Sequence, residues 1–430
     1  MTARWAIFGA LILCVSLSPE IIVLPEAKIR YFGNATLATE YSSYIDASSN
    51  FLGVLTAPVL GRLSDTLGRK PLFIFACMVI TAPSVCLLLS PVNLLPYLVC
   101  TVMRGFAGGP NGIFPLITAY LADLYPAEQR SKYFGWSFAI FSVGFILSPL
   151  ITLFDRGASN ETIFKVSVGF NVTSVLLACF LPESLARPNR VPMKGGWRHV
   201  LPFRALNKLF HCKVTLVLAS ISFFFTVCEN GIETTIFYFL NDKLGFMEKD
   251  NARLFLILGI SSLFVQSIAL PVLLKFVSDS SVLRIGLVSY IFHLLFFAWA
   301  TVKWMVYANM LLAGFTFLTF PAINGLMSSV LSGKDQGVGF GTLASVRGIA
   351  AAVGPLMFGS VYAVLGSDQV RSPEGVFYFG CSFVLLALLL SCCWLPGALL
   401  PPASDEACER TAPLLLHLES SLVCEDEVEG

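Results

Sequence analysis

The chain has 430 residues, of which 56% are hydrophobic and only 13% are charged, and its net charge is +1. Soluble domains carry about 25% charged residues, so this chain holds more apolar side chain than a globular core can bury. The composition predicts an integral membrane protein in contact with the lipid bilayer, and the near-neutral charge gives no reason to expect a nucleic-acid partner.

Twelve apolar runs follow one another along the chain, each close to the roughly 20 residues that a transmembrane helix needs. The predicted spans are 5–26, 43–62, 71–91, 94–121, 132–154, 162–181, 213–240, 252–275, 281–301, 303–329, 338–365 and 375–395. The first run continues past Pro19 and Glu20 without a small-residue cleavage pattern, so we expect a retained helix and not a signal peptide. The predicted fold class is an all-α membrane protein of twelve transmembrane helices.

The distribution of basic residues predicts the orientation of the chain. With both termini in the cytosol, the cytosolic segments hold 17 Lys and Arg residues and the opposite side holds 9, as the positive-inside rule requires. The sequons at Asn34 and Asn160 then fall on the non-cytosolic side, which agrees. Most cysteines lie inside apolar runs, so they are expected to be free thiols.

The two halves of the chain resemble each other. A shift of 206 residues produces seven identities within 37 residues, including Phe114-Pro115 on Phe320-Pro321 and Pro149-Leu150 on Pro355-Leu356. Parallel repeats of this kind are typical of carriers that rock around a central site. We therefore predict two pseudo-symmetric six-helix bundles, at 1–181 and 213–396, joined by a basic cytosolic loop at 182–212.

An acidic tail at 397–430 follows the second bundle and is expected to be disordered and cytosolic. Within it, Glu409–Leu416 (ERTAPLLL) resembles an acidic dileucine sorting signal, although one residue longer than the usual spacing. This signal favours an endosomal or lysosomal membrane over the plasma membrane without deciding between them.

The loop after the second span has a pattern of glycine, acid and base. Gly61 and Gly68 would allow a sharp turn between two helices, and Asp65 could pair with a base or cap a helix across the interface of its half. Arg69 and Lys70 supply the bases. Breaking such a pair during rocking would help to set the balance between two carrier states.

Two further segments accompany this loop. Asp123 begins an acidic and basic stretch that ends at Arg130 and is followed by Gly135, and Arg104 precedes Gly108 by four residues. Together with the loop at 61–71, these segments resemble the signature motifs of the major facilitator superfamily. The resemblance implies a membrane carrier that works by alternating access, with the loop residues acting in gating.

Within that superfamily, the chain is most similar to the hippocampus-abundant-transcript-like carriers, which are relatives of the bacterial tetracycline exporters. The shared stretches include Ala119-Tyr120-Leu121-Ala122-Asp123, Pro182-Glu183-Ser184, Thr319-Phe320-Pro321-Ala322 and Asp335-Gln336-Gly337-Val338. The chain departs from them at Glu20, where a neutral residue is expected, and in a fifth span reduced to Gly144 and Ser148-Pro149. These departures argue against simple export by proton exchange.

Ionisable residues inside spans are costly and therefore indicate function. Glu229 and Glu233 lie four residues apart on one helix face and repel each other, so at least one is expected to hold a proton. The intervening Asn230-Gly231 weakens the helix, as in broken helices that line carrier sites. We predict a proton or substrate site here, the alternative being a structural role between the halves.

Five other polar residues within spans are candidates for the same site. Glu20, which we place near the outer third of the first span, is either a proton site or hydrated. Arg104 and Arg347 stay charged, so each must pair with a carboxylate or bind an anion. Gln266 and Asn324 need a partner, which is either another helix or a polar solute. By contrast, Asp46 is expected to be solvated and His293 to be a packing residue.

The predicted function is secondary active transport of a small organic solute, coupled to protons, by a monomer. The sequence contains no Gly-Lys-Ser/Thr phosphate loop, no metal-ligand spacing of His and Cys, and no Ser/His/Asp set, so we expect no enzyme activity, cofactor or metal. Two alternatives stay open. One is an exporter of drugs or xenobiotics like the tetracycline pumps, and the other is a non-transporting sensor or trafficking adaptor with a carrier fold.

Overall fold

The computed structural model describes residues 2–17, 19–108, 113–125, 127–154, 160–185, 190, 213–330, 336–366 and 372–395. Throughout these ranges the regular structure is helical, with no strand. The predicted middle loop, apart from its first few residues and Arg190, lies outside the described residues, as do the acidic tail and its sorting signal.

Eight α-helices build the first half: α1 (Thr2–Ser16), α2 (Glu20–Phe32), α3 (Ala35–Leu67), α4 (Arg69–Leu89), α5 (Leu95–Met103), α6 (Ile113–Leu124), α7 (Ala127–Phe154) and α8 (Asn160–Phe180). A short 3₁₀ segment, Arg104–Ala107, continues α5. The interior of this half is formed by a cluster that includes the stacked rings of Phe8 and Tyr120 and the edge-on ring of Phe73.

Eight more helices build the second half: α9 (Lys213–Leu244), α10 (Glu248–Phe264), α11 (Leu270–Phe276), α12 (Asp279–Trp299), α13 (Lys303–Thr316), α14 (Thr319–Val330), α15 (Gln336–Leu365) and α16 (Gly375–Cys393). A π-helical segment, Val265–Ala269, joins α10 to α11. The core of this half is larger and rich in aromatic residues, and it also includes Ala35 and Ala38 from the start of α3.

Nine stretches of the described chain are long and apolar enough to cross a membrane. The three other predicted spans, 43–62, 94–121 and 132–154, fall on α3, on α5 with α6, and on α7. Shorter apolar helices, Leu95–Ala107 and Ser142–Leu153, lie in two of them. The prediction of an all-helical, multi-pass membrane protein is confirmed, whereas the count of twelve spans stays a prediction.

Several spans are interrupted at a polar residue. The first span breaks between Ser16 and Glu20, where Pro19 cannot donate a backbone hydrogen bond. The fourth tightens into 3₁₀ geometry at Arg104, and the eighth widens into π geometry around Gln266. Helix breaks in carriers are tolerated where they are buried in protein or line a cavity, which agrees with the breaks at Glu20 and Arg104, whereas in the segment around Gln266 only Val265 is buried.

The two halves meet along α3, which packs on α9 and α15, and along α7, which packs on α10. The tyrosine hydroxyl of Tyr238 lies 2.7 Å from the Oγ of Ser42, and Asn50 Nδ2 donates to the carbonyl of Ala351 at 2.9 Å. We call the end of the bundle that contains the α2–α3 turn the outer end. Both contacts belong to the half of α3 nearer that end, so the halves are joined there.

Candidate functional site

The first charged position is Glu20, the initial residue of α2. Ser84 donates to its Oε1 at 2.5 Å, Asn171 Nδ2 donates to Ser84 Oγ at 2.9 Å, and the Glu20 backbone N–H donates to Ser167 Oγ at 3.2 Å. The three partners come from α4 and α8 and are buried. We placed Glu20 near the outer third of its span, but the helix break puts it midway along the 26-residue stretch Ile7–Phe32.

Arg104 acts electrostatically on two carboxylates without bonding to either. It is within electrostatic range of Glu20 and of Asp46, yet it forms no ion pair with them. Its Nε is buried and has no hydrogen-bond partner among the residues that the structure describes. Direct pairing with a carboxylate, one of the two roles left open for Arg104, is therefore not observed among the described residues, and its charge acts on two acids.

Asp46 joins the two halves. It lies eleven residues after Ala35, hence roughly 17 Å along α3 from the outer end. Its carboxylate is near enough to interact with the hydroxyl of Thr234 of α9 and with the charges of Lys28 and Arg104. The Thr234 hydroxyl is also 2.9 Å from the Asn230 carbonyl, so it can donate to only one of these acceptors at a time. The expectation that Asp46 is simply solvated was wrong, because this carboxylate has partners from both halves.

The second half contains the other buried charge, Arg347 of α15. Its Nε donates to Ser222 Oγ at 2.7 Å, and its guanidinium carbon lies 4.0 Å from the ring centroid of Phe320. Glu229 is within electrostatic range, while Nη2 is buried without a described partner. Of the two roles left open for Arg347, the geometry favours structural pairing within its own half.

Glu233 differs from every other charge in this region. Its side chain is exposed, although its neighbours in α9 are largely buried. It lies one turn from Glu229 on the same face of the helix. The charged groups that act on it are Glu229 and Asp46, both acidic. Within the described chain Glu233 thus has no compensating cation, and it faces the junction of the halves.

An aromatic wall lies one helical turn closer to the outer end. Phe237 stacks on Phe255 of α10 with ring centroids 5.3 Å apart, and Phe255 stacks on Phe145 of α7 at 6.2 Å. The three half-buried rings therefore connect α9, α10 and α7 across the junction of the halves. Because Phe237 follows Glu233 by four residues, the wall and the carboxylate share one face of α9.

The two predicted amide candidates do not join this group. Gln266 Nε2 donates to Ser262 Oγ at 3.1 Å, one turn back along its own helix, and Asn324 has no described hydrogen bond. His293 behaves as expected of a packing residue: its Nδ1 is 3.0 Å from the Oδ1 of Asn309, whose Nδ2 donates to the His293 carbonyl at 2.9 Å. Both of those side chains are buried.

The predicted gating residues form a separate charged group at the opposite end of the first half. Arg69 donates from Nε to Asp123 Oδ2 at 2.9 Å and from Nη1 to Asp65 Oδ1 at 2.6 Å. Asp65 thus pairs with a base of its own helical hairpin. Gly61 has open space beside it, so no close approach requires a glycine there. Lys70 contributes its backbone N–H, and the side chain of Arg130 lies outside the described residues.

Glu183 is a further member of this charged group. From the sequence it was identified only as part of Pro182-Glu183-Ser184, one of the stretches shared with related carriers. Its Oε1 accepts from the backbone N–H of Arg69 at 2.7 Å, and its Oε2 accepts from that of Lys70 at 3.3 Å. A carboxylate at the first turn of α4 meets both unpaired amides and the positive end of the helix dipole. Gly68 has a φ of 109°, and a Cβ there would collide with the Glu183 carboxylate, so both features require glycine.

The sequence-based expectations missed several members of the central group. Lys28, with 7% of its surface exposed, was not recognised, nor were Ser84, Ser167 and Thr234. Lys28 lies two residues from both Glu26 and Arg30, beyond the predicted first span, so no sequence signal separates it from a solvated charged segment. Hydroxyl residues are too common in membrane helices to be selected without the structure.

Comparisons with known proteins agree with this architecture. Residues 6–355 match the family profile described as Major Facilitator Superfamily. The hippocampus abundant transcript-like protein 1 of Bos taurus is 27% identical over 326 residues, which cover 74% of this chain and 63% of that protein. The tetracycline resistance protein, class E, of Escherichia coli is 24% identical over 386 residues, covering 88% and 92% of the two chains.

A solved structure shows the same fold. The crystal structure of the human organic anion transporter MFSD10 (TETRAN) superposes with a TM-score of 0.67 at 21% identity. The superposition covers 90% of this chain and 99% of the other. The helical fold is thus shared with that structure over nearly its whole length.

Proposed function

The chain belongs to the Major Facilitator Superfamily, and we propose that, as a transporter and not an enzyme, it moves a small organic solute by alternating access. One observation carries the proposal: ionisable side chains of both halves converge at their junction, at similar depth. Asp46 lies eleven residues from the outer end of α3, and Glu233 lies eleven residues from the outer end of α9. A solute held between them would contact both halves and would be released when they separate.

We further propose that transport is coupled to protons through Glu229 with Glu233, or through Glu20. The region holds four carboxylates, on Glu20, Asp46, Glu229 and Glu233, and three cations, on Lys28, Arg104 and Arg347. If Lys28, Arg104 and Arg347 offset Asp46, Glu20 and Glu229, the charge left over is that of Glu233. An uncompensated carboxylate next to other acids at this junction either takes up a proton or binds a cationic solute.

Export of drugs or xenobiotics is the second candidate, and the aromatic wall favours it. The rings of Phe237, Phe255 and Phe145 offer a flat apolar surface next to the Glu233 carboxylate. A lipophilic cation would place its charge at Glu233 and its apolar body on the rings, gaining cation–π attraction as well as burial. Solutes with a protonated amine and an aromatic body should therefore be tested first.

Flux into proteoliposomes tests both candidates. The purified protein is reconstituted with an imposed pH gradient, and uptake of radiolabelled sugars, amino acids, organic anions, nucleosides and cationic drugs is compared with empty vesicles. Glu233→Gln should lose gradient-driven flux, whereas the control Glu161→Gln, on the exposed start of α8, should behave as the parent protein does.

Growth of a pump-deficient bacterial host on toxic cations separates the two candidates, because an exporter raises resistance and an importer does not. Absence of flux for every class, with the folded protein still capturing cytosolic partners through the middle loop or tail, would instead support a sensor or trafficking adaptor. Flux that does not respond to any of Glu20→Gln, Glu229→Gln and Glu233→Gln would refute the proton-coupling proposal.

A further inference from the structure

The break in the first span creates an unusual environment around Glu20. The helix α1 ends at Ser16 and α2 begins at Glu20, so two helix ends meet in the middle of the membrane. The last carbonyl groups of a helix have no partner within it and carry partial negative charge. In other carriers with discontinuous helices, such helix ends bind the coupling cation.

The side chains around the break are a set of oxygen atoms from three spans. Glu20 lies on the first span, Ser84 on α4, and Ser167 and Asn171 on α8. The three neutral residues are at most 1% exposed. Two acceptors in this set, Glu20 Oε2 and Asn171 Oδ1, are buried without a partner among the described residues. Buried acceptors left in this state are costly, and a cation or a hydrogen-bond donor bound among them would satisfy them.

We propose that this pocket, formed by Glu20, Ser84, Ser167 and Asn171, binds a sodium ion. Hard cations prefer carboxylate, hydroxyl and carbonyl oxygens, and the pocket supplies all three. A single positive charge offsets the single carboxylate, whereas a divalent ion would leave a net charge in an apolar interior. The described ranges also contain no group of His, Cys, Asp and Glu suited to a transition metal.

Arg104 connects the sodium pocket with the junction of the halves. It is attracted both to Glu20 and to Asp46 but is bonded to neither. A sodium ion at Glu20 neutralises that carboxylate, so the attraction on Arg104 is then exerted by Asp46 alone. Asp46 in turn interacts with Thr234 of the other half. Sodium binding therefore changes the electrostatic interaction at the contact between the halves. Only this link, and not sodium binding itself, rests on the proposed transport function.

Thermal stability of the detergent-purified full chain tests binding without any flux. Melting curves are recorded in sodium, potassium and choline chloride at equal ionic strength, at pH 6 and pH 8. Sodium should raise the melting temperature saturably by several degrees over choline, since a ligand that binds only the folded state stabilises it. The sodium response should be abolished in Glu20→Gln and weakened at least tenfold in Asn171→Ala.

The control is Thr173→Ala, an exposed position two residues along α8 that should respond to sodium as the parent does. If Glu20→Gln does not fold, Ser84→Ala and Ser167→Ala take its place, each expected to lower the apparent sodium affinity. The protonated state of Glu20 competes with sodium, and Arg104 and Tyr97 are the ionisable groups that interact with it. The sodium affinity should therefore fall at pH 6.

Identical melting curves in sodium and choline at both pH values would overturn the proposal. A response to pH alone that is lost in Glu20→Gln would also overturn it, by assigning the pocket to a proton. Failure of the transport proposal looks different, because sodium would still stabilise the protein while no solute crossed the vesicle membrane. Solute flux independent of sodium, with sodium binding intact, would refute only the link through Arg104.

Discussion

The two halves surround a buried charge with different partners. In the first half Glu20 accepts a hydrogen bond from the hydroxyl of Ser84 and is within electrostatic range of Arg104, while its Oε2 has no partner among the described residues. In the second half Arg347 has a hydroxyl partner, an aromatic face at 4.0 Å and a carboxylate within electrostatic range. Each charge keeps one buried atom without a described partner, but the aromatic contact belongs to Arg347, and a second unpartnered acceptor, Asn171 Oδ1, lies among the neighbours of Glu20.

The difference separates structural charges from exchangeable ones. A charge satisfied by fixed neighbours is expensive to remove and has little to gain from a ligand. A charge surrounded by unpaired acceptors gains most when a mobile cation arrives, which is how a carrier senses an ion. We therefore expect the second half to lose stability, and the first half to lose ion response, when the central residue of each is altered.

The largest effect is expected from Arg347→Leu. It removes the bond to Ser222 and the contact with Phe320, and it leaves Glu229 without its cation, for a cost of about 3 kcal/mol. Thermal unfolding followed by fluorescence-detected gel filtration measures this, with Arg347→Lys as the milder control. Asn171→Ala in the first half should cost no more than about 1 kcal/mol. Equal destabilisation by the two variants would contradict the proposal that the buried charge of the second half is structural and that of the first half is not.

Glu233→Gln should change transport more than stability. Because Glu233 is exposed and has no cation to lose, its neutral isostere is expected to fold normally while reducing gradient-driven flux at least tenfold. The comparison with Glu229→Gln sharpens the result, since that variant orphans the Arg347 charge and should lose stability as well. Melting curves and flux assays on the same preparations check both, and a stable, fully active Glu233→Gln protein would contradict the proposed role.

Thr234→Val removes the hydroxyl that reaches Asp46 from the other half. The loss of this polar contact between the halves should weaken closure of the outer end by about 1 kcal/mol, close to a fivefold shift in the population of closed molecules. Accessibility of a single cysteine introduced near the Asp46 level to a membrane-impermeant thiol reagent reports that population. Thr235→Val, which alters a neighbouring hydroxyl bonded only within α9, is the matched control. If cysteine accessibility is the same in Thr234→Val and Thr235→Val, Asp46 does not stabilise the contact between the halves.

The smallest effect is expected from Phe255→Leu in the aromatic wall. Leucine keeps the apolar volume but removes the central ring of the stack, so a lipophilic cation should show a KM raised about threefold with kcat unchanged. A neutral sugar should not respond at all. Uptake kinetics of one cationic and one neutral solute measure the contrast, and an equal change for both would assign the wall to packing alone.

Much of the fold was predictable because each span carries its own signal. Apolar runs of sufficient length predicted the helices, the shift of 206 residues predicted the two halves, and the loop at 61–71 predicted the family. The helix breaks were less accessible. Pro19 marks the first, but the 3₁₀ turn at Arg104 and the π segment around Gln266 depend on packing between helices, which no local pattern reports.

Only the charged residues of the candidate site could be predicted from the sequence. Glu229, Glu233, Glu20, Arg104 and Arg347 could be selected because ionisable residues are rare in spans. Their partners could not, since the serine residues, Asn171 and Thr234 become significant only when separate helices bring them to a carboxylate. Asp46 was misjudged because α3 is 33 residues long, so a position eleven residues along it is already deep in the bundle.

The cap that Glu183 places on the first turn of α4 has a mechanical consequence for the connection between the halves. It fixes the chain immediately after α8 to the first half, and Arg190 adds a second attachment to the same carboxylate at 3.6 Å. From Arg190 to Lys213 the sequence then runs for 23 residues, enough to reach roughly 75 Å if fully extended. The tether is therefore much longer than any displacement that a rocking carrier needs. A connection of this length does not by itself restrict rocking, so we expect the energetics of switching to lie in the described contacts of α3 with α9 and α15 and of α7 with α10.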